Sequence, residues 1–345
     1  MNSEEHFKKY DSIENHYQEG FIDKVRQLFL PQNGVTRRNS WFVTEKIHGC
    51  NVQIYYDGEQ IRYGSRNNYL QDGDKFYNYK EVLGKYESII KKMYNELHSV
   101  CEIEEVILFG ELFGGEYLHP EVQKVKNASK VQKGVQYTPD NNVLFFDICY
   151  KIWNKYLYMN GLTFLHLCEE YGLPYVPVLA LDLTLDEALK YPNDGNSKVH
   201  LKYNLPEIDN NIMEGIVIRG YEQEYVLPNG TRCIIKSKND KFKEKSRKSK
   251  NIPNGIPENL QIVLDKLTQY VTSQRVENII SHFGEVSVND IGKIIGETNK
   301  DILQDFEKEH NDFNTLEKSE IKCVTRLLNP LVAKEVKEVI YKRIN

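Results

Sequence analysis

The last strand-like run in this sequence is Cys233-Ile234-Ile235-Lys236, and everything after it carries helical spacing alone. Residues 258–283, 288–309 and 317–344 each repeat apolar side chains at the period of an amphipathic helix. Between the two regimes, residues 251–257 concentrate proline, glycine and asparagine, which break helix and strand alike. The sequence therefore predicts two domains, 1–250 and 251–345, the second small and all-α. A chain of 345 residues has room for both, since domains commonly run to about 100–200 residues.

The first region reads as mixed sheet with peripheral helices, which makes the whole chain α+β. Apolar spacing over 13–30 predicts an amphipathic helix ended by Pro31, and the apolar set over 76–100 predicts one long helix. Strands are expected at 41–46, 51–56 and 60–66, the last two joined through Asp57-Gly58 as a hairpin that delivers Arg66. Further strands follow at 106–111, 143–148, 216–218 and 233–236, with helical pieces near 162–171 and 185–191.

Composition narrows the class of function. No apolar run approaches the roughly 20 residues of a membrane span. The first residues lack the basic and then apolar order of a signal peptide, so a cytoplasmic protein with no membrane partner is expected. Six cysteines stand far apart with no C-x-x-C pair, which suggests reduced thiols and neither a disulfide framework nor a zinc site. A net charge of −5 argues against bulk attraction to nucleic acid, yet nine basic residues crowd Arg232 to Lys250 against only Asp240 and Glu244. That run is expected to face a polyanion.

Chemistry-bearing residues gather at strand ends. Lys46 sits where an apolar strand meets the turn glycine of Lys46-Ile47-His48-Gly49, a place where an amine can be held rigidly beside a pocket. Glu111 closes one apolar run, Asp147 follows Phe145-Phe146, Glu214 precedes another, and Lys236 and Lys238 end the last. A free lysine keeps its proton to about pH 10.4, so an amine nucleophile needs neighbouring positive charge to release it. Lys236 and Lys238 would supply that charge and hold a phosphate. Glu214, with Glu111 as a second candidate, offers hard oxygen ligands to a divalent metal, and Phe146 offers a ring on which a purine can stack.

Six motifs stand in order: KIHG at Lys46–Gly49, Ser65-Arg66, FGELFG from Phe109, FFDI from Phe145, EGIVIR from Glu214 and IIKSK from Ile234. They resemble the covalent nucleotidyltransferases, ATP-dependent ligases and capping enzymes, whose catalytic domain is an ATP-grasp-like adenylyltransferase fold of mixed and antiparallel sheets. Within that group the chain is similar to the RNA ligase 2 family, the phage type that seals nicks in duplex RNA and is akin to trypanosome editing ligases. The likeness extends to FKKYDSIENHY from Phe7 and YVTSQRVENIIS from Tyr270, and so spans nearly the whole chain.

The resemblance implies roles. Lys46 would form a lysyl–AMP bond, flanked in the adenylate pocket by Glu45 and His48 with Asn51 close by. Arg66 would lie near the ribose and the RNA ends, Glu111 would take the ribose hydroxyl, and Phe146 would stack on adenine with Asp147 beside it. Glu214 would serve the metal-dependent step, and Lys236 and Lys238 would hold the AMP phosphate. For Arg219, within EGIVIR, a site role and a plain surface arginine are both open. The implied enzyme is an RNA ligase using ATP and Mg²⁺ or Mn²⁺, acting as a monomer on nicked duplex RNA with 3′-hydroxyl and 5′-phosphate ends. Thr44 and Ser65 stand where the family carries basic residues, so contacts to phosphates there are expected to differ. The rivals are a DNA ligase, a GTP-using capping enzyme, or a catalytically inactive module that binds nucleic-acid ends. The first two usually append a β-barrel, whereas this C-terminal third reads as helical.

Overall fold

A computed structural model of the chain describes residues 7–31, 33–246, 257–310, 313 and 315–344. The chain divides into two compact units, Met1–Asn239 and Asp240–Asn345. The proline- and glycine-bearing stretch on which the sequence places its boundary is mostly outside the described residues.

In chain order the first unit contains β1 (Glu14–Asn15), α1 (Glu19–Gln27), β2 (Trp41–Lys46), β3 (Cys50–Tyr56), β4 (Ile61–Ser65), β5 (Tyr69–Leu70), α2 (Tyr79–Gly84) and α3 (Glu87–Cys101). It continues with β6 (Glu105–Gly114), β7 (Asn141–Ile152), β8 (Lys155–Tyr158), α4 (Gly161–Tyr171), β9 (Val178–Leu183), α5 (Leu185–Leu189), α6 (Val199–Lys202), β10 (Gly215–Gly220) and β11 (Ile235–Lys238). These strands build two sheets, ordered β1-β11-β10-β2-β9 and β5-β4-β3-β6-β7-β8. All pairs are antiparallel except β1 with β11.

Three apolar clusters explain the layering. Val52, Ile54, Leu108 and Ile148 turn one face of the larger sheet towards Val82, Ile90 and Phe164 of its helices. Val43, Ile216, Ile218 and Ile235 turn one face of the smaller sheet towards Ile22 and Val25 of α1 and Leu185 of α5. The remaining faces share a third cluster, in which Tyr55, Phe109 and Cys149 meet Ile234, with Phe146 and Val217 packed against it. Strand β3 is buried along its whole length, so its polar residues Asn51 and Gln53 lie inside the protein. Alternation with one wet face, the usual antiparallel pattern, is absent from this strand because a layer covers each side.

The helix expected over 13–30 begins only at Glu19. Its first residues are drawn into the sheet instead: the Glu14 N–H donates to Ile234 O at 3.0 Å and the His16 N–H to Lys236 O at 2.9 Å. The long helix expected over 76–100 breaks at Lys85 and Tyr86, just after Gly84. Strands β5, β8 and β9 escape the sequence reading because each is short or edge-placed and lacks a buried alternating face.

The second unit comprises α7 (Glu258–Thr268), α8 (Ser273–Ser281), α9 (Ile291–Glu309) and α10 (Lys318–Ile344), with no strand among its described residues. Leu264, Val276, Ile302, Phe306, Leu328 and Val336 form its core. One continuous helix was the expectation for 258–283; Thr272 interrupts it, its hydroxyl capping α8 by accepting from the Arg275 N–H at 3.2 Å.

Candidate active site

Register brings three strand ends together. Lys46 at the end of β2 lies opposite Gly215 of β10, and Gly215 lies opposite Lys238 of β11. Directly opposed residues share a face, so Thr44, Lys46, Val217, Lys236 and Lys238 all point to the same side of the smaller sheet. Glu214, one residue before β10, reaches into this group. Its Oε2 is 2.7 Å from Lys46 Nζ and 3.5 Å from His48 Nδ1, and its Oε1 is 3.0 Å from Lys238 Nζ. Burial alone would raise the Glu214 pKa, but the ammonium groups of Lys238 and Lys46, with His48, outweigh it and hold the carboxyl well below the usual range. An anion fixed between two lysines is thus present throughout the physiological pH range.

Glu111 approaches from the larger sheet. It lies opposite Asn51 in the β3–β6 pair, and its Oε1 accepts from the Gly49 N–H at 3.2 Å. Burial is the main cause that pushes its carboxyl up to about 7, the negative charge of Glu214 adding to it and Lys46, Arg66 and the Gly49 N–H opposing. Arg66, just past β4, is therefore gathered to the same place. The two acids differ in kind: Glu214 stays ionised and suits a divalent cation, while Glu111 titrates near neutrality and suits a hydroxyl partner.

Gly49 permits this convergence. A Cβ there would stand 2.2 Å from Leu112 O and 2.9 Å from Glu111 Cγ. The obstructing atom is backbone, so Gly49→Ala is expected to cost about 1–3 kcal/mol and to displace Glu111. A lowered unfolding midpoint together with slower chemistry would be seen; an unchanged midpoint would contradict the packing argument.

Phe146 is placed by a bulge. Phe109 pairs with Asp147 whereas Gly110 pairs with Phe145, which leaves Phe146 as the extra residue in β7. The bulge turns its ring to the cluster shared by the sheets, where Val217 also packs and Tyr10 meets it edge-on at 5.0 Å. Phe146 and Val217 therefore belong to the sheet faces that enclose the lysines.

Two expected members are held elsewhere. Glu45 lies on the opposite face of β2 from Lys46, as a period of two requires, and its Oε2 accepts from the N–H of Lys198, the residue before α6, at 2.7 Å. Burial lifts its carboxyl to about 7, against opposing bonds from Ser197 and Lys198. Asp147 is fully buried and fully engaged. Its Oδ1 meets Arg219 Nη2 and the Ile148 N–H, both at 2.9 Å, while its Oδ2 meets Arg232 Nη2 at 2.9 Å and the Tyr10 hydroxyl at 2.8 Å. Arg219 also donates to Phe146 O and to Met159 O, so this arginine is buried and is not a surface side chain. It fixes the backbone of the Phe146 bulge from behind.

The Glu45 carboxyl yields a pH prediction. Its folded pKa exceeds the ordinary value, so its burial costs nothing below pH 4.5 and destabilises progressively as the pH rises to about 7, by about 3 kcal/mol in total. Glu45→Gln still accepts the Lys198 N–H but never ionises. Denaturant titrations should show the variant equal to the parent at pH 4 and more stable at pH 8. Equal stabilities at both pH values would refute this assignment.

Sequence reasoning missed several supporting residues. The His48 N–H donates to the Tyr137 hydroxyl at 2.8 Å, Gln132 Nε2 donates to Gly49 O at 3.4 Å, and Asn193 Nδ2 donates to Ser237 Oγ at 2.8 Å and Lys238 O at 3.1 Å. Gln132 and Tyr137 lie 83 and 89 residues from their partners in irregular chain, where no periodicity marks them. Thr44 and Ser65 are both buried, and the Ser65 hydroxyl is spent on Asn68 O at 3.2 Å.

Comparison with known proteins gives this geometry its relatives. The RNA ligase family model matches residues 39–238, more than half of the chain. The chain belongs to the RNA ligase family. A model of the T4 RNA ligase 2 C-terminal domain matches residues 254–334, which assigns this RNA ligase to the RNA ligase 2 branch. RNA-editing ligase 2, mitochondrial, of Trypanosoma brucei brucei is 34% identical over 162 residues, covering 42% of this chain and 37% of the relative. RNA-editing ligase 1, mitochondrial, of the same organism is 24% identical over 335 residues, covering 78% of this chain and 70% of the relative. A mutant of Naegleria gruberi RNA ligase solved with ATP and Mn aligns with a TM-score of 0.45 at 16% identity, covering 68% of this chain and 57% of that chain. No described helix of the RNA ligase is long and apolar enough to cross a membrane.

Proposed function

We propose that this RNA ligase uses ATP to join 3′-hydroxyl and 5′-phosphate RNA ends through a covalent lysyl–AMP at Lys46. The observation that carries the reading is the convergence of Lys46, Lys238 and ionised Glu214 on adjoining strand ends, with Glu111 arriving from the second sheet. Lys46 attacks the α-phosphorus and pyrophosphate leaves; AMP passes to the RNA 5′-phosphate; the 3′-hydroxyl then displaces AMP. Each step is an in-line displacement at phosphorus, for which the protein supplies position and charge.

Lys46 attacks as the free amine, and it shares the Glu214 carboxylate with Lys238, whose Nζ is 3.0 Å from the other oxygen. Lys236 and Lys238, on the same face, balance charge on the phosphate. Adenine would stack on the Phe146 ring, and Glu111 near its titration point can exchange hydrogen bonds with a ribose hydroxyl. Glu214 would hold Mg²⁺ or Mn²⁺, which when bound would withdraw charge from the phosphate oxygens. Asn51 and Arg66 complete the ribose side, and His48 steadies Glu214. Glu45 and Asp147 act from behind, by holding α6 and the Phe146 bulge in place.

Nicked duplex RNA, a monomeric enzyme and a cytoplasmic site of action complete the proposal. None of the six cysteines is in a disulfide. The test is incubation with α-labelled ATP or GTP and Mg²⁺, followed by nicked duplex RNA. Covalent label from ATP that is discharged into sealed RNA is the expected result. Label from GTP would favour a capping enzyme, and no label with either nucleotide would sink the enzymatic reading.

A further inference from the structure

Two cations of the basic run, Arg232 and Lys238, are buried in ion pairs, and two more are matched by acids nearer the surface. Arg232 is buried against Asp147 and Glu224, Lys238 holds Glu214, Lys243 pairs with Asp240, and Lys245 pairs with Glu309 at 3.0 Å. Arg247, Lys248 and Lys250 lie outside the described residues. The first unit offers further exposed cations outside this run.

Residues 115–130 leave β6 and return without helix or strand. A structureless loop of this length is commonly either disordered or functional, and its neck excludes the first case. The Val131 N–H donates to Gly114 O at 3.2 Å and the Gly115 N–H to Asp140 O at 2.9 Å. Asn141 clamps both sides of Ser129, at 3.0 and 2.8 Å, and Asn78 Nδ2 donates to Asn127 O at 2.9 Å. The neck is so close that a Cβ on Gly115, whose φ is +89°, would stand 2.2 Å from Ser129 O. This is an Ω-loop with closed ends.

From Val122 to Pro139 the sequence has four lysines, Lys124, Lys126, Lys130 and Lys133, and no acid. Lys130 pairs with Glu116, whereas Lys124 and Lys126 are exposed and make no hydrogen bond or ion pair among the described residues. The base of the loop is tied to the nucleophile's turn by Gln132 and Tyr137. A cavity of about 110 Å³ between them is lined by His48, Glu116, Lys130, Gln132 and Tyr137. A rigid loop therefore holds unpaired cations on the same support as the Lys46 turn.

We propose that the loop at 115–130 is an arm for the RNA backbone, on which Lys124 and Lys126 neutralise phosphates next to the site of sealing. The inference rests on the ligase reading above. Lysines held on a loop, with no base-reading groove, act on phosphate charge and A-form shape and not on base sequence. The triphosphate tail of ATP is the other phosphate source that could meet these lysines, and the measurements separate the two.

The experiment compares the full chain with Lys124→Ala/Lys126→Ala, and with Lys85→Ala as an exposed lysine outside the loop. It measures the dissociation constant for nicked duplex RNA over a range of KCl, and the KM for ATP in covalent labelling. Losing two phosphate contacts should make the slope of log K against log salt shallower by roughly 1.4–1.8, at unchanged KM for ATP. Lys85→Ala should leave the slope as it was. An unchanged slope in the double variant overturns the proposal, and a raised KM for ATP with an unchanged slope reassigns the loop to the nucleotide. RNA binding is read without catalysis, so failure of the chain to label with ATP would count against the ligase reading and leave this test intact.

Discussion

Lys46→Ala is expected to abolish covalent AMP transfer and to lower sealing of nicked RNA by roughly three orders of magnitude or more. The argument is positional. Lys46 Nζ is the amine that β2 delivers to the shared face, 2.7 Å from an anion that stays ionised. Removing it would take away the proposed nucleophile but leave Glu214 paired with Lys238 at 3.0 Å, so the fold should persist. Lys46→Arg sharpens the test. A guanidinium can keep the ion pair with Glu214 but cannot be deprotonated to attack phosphorus. Both variants should fail to label with α-labelled ATP while melting as cooperative proteins. Both should also regain sealing when supplied with RNA already carrying a 5′-adenylate, because that substrate bypasses the first step. Residual labelling of Lys46→Arg at the parent's level would move the covalent site to another residue.

The second large effect concerns Asp147→Ala, expected to cost about 3–5 kcal/mol, with an unfolding midpoint lower by roughly 10 °C. Asp147 is buried and holds Arg219 and Arg232 at 2.9 Å each. Removing the acid strands two guanidinium groups away from water, and Glu224 pairs directly with Arg232, at 2.7 Å, while acting on Arg219 only through its charge. Asp147→Asn should lie between, since an amide still accepts from the Tyr10 hydroxyl or one arginine but carries no charge. Activity should fall as well, because Arg219 also holds the backbone of the Phe146 bulge. Thermal melts and ATP KM together distinguish the roles. If Asp147→Ala melts like the parent and only its ATP affinity falls, the residue contacts nucleotide directly and the buried-hub account is wrong.

These predictions lean on residues that the sequence exposes to different degrees. Lys46, Glu214 and Lys238 are legible because each stands at or beside the end of an apolar strand. Glu111, read from the sequence as a strand end, lies inside β6, which runs on to Gly114, and Lys236 lies inside β11. Phe146 and Asp147 are adjacent in the sequence, and nothing in FFDI says that a bulge sends one ring to the cluster shared by the sheets while two arginines claim the neighbouring acid. Glu45 beside Lys46 is a similar case. Adjacent strand residues face opposite ways, so proximity in sequence becomes separation by the thickness of the sheet.

By itself the sequence determined the division into a strand-bearing part and a helical part, the strand that carries Lys46, the turn at Gly49 and the motif order that marks the family. Local periodicity, turn chemistry and close-range sterics are written in neighbouring residues, so they can be read without coordinates. Tertiary structure alone decided the pairing of β2, β10 and β11 that sets Lys46, Glu214 and Lys238 around one carboxylate, and the burial that lifts Glu45 and Glu111 towards pH 7. It also decided the return of Gln132 and Tyr137 to the turn after Lys46, and the spending of Arg232 inside the protein while Lys124 and Lys126 stay outside. The reason is common to all of these: register, desolvation and long-range hydrogen bonds depend on residues far apart in the chain, and no local window contains both partners.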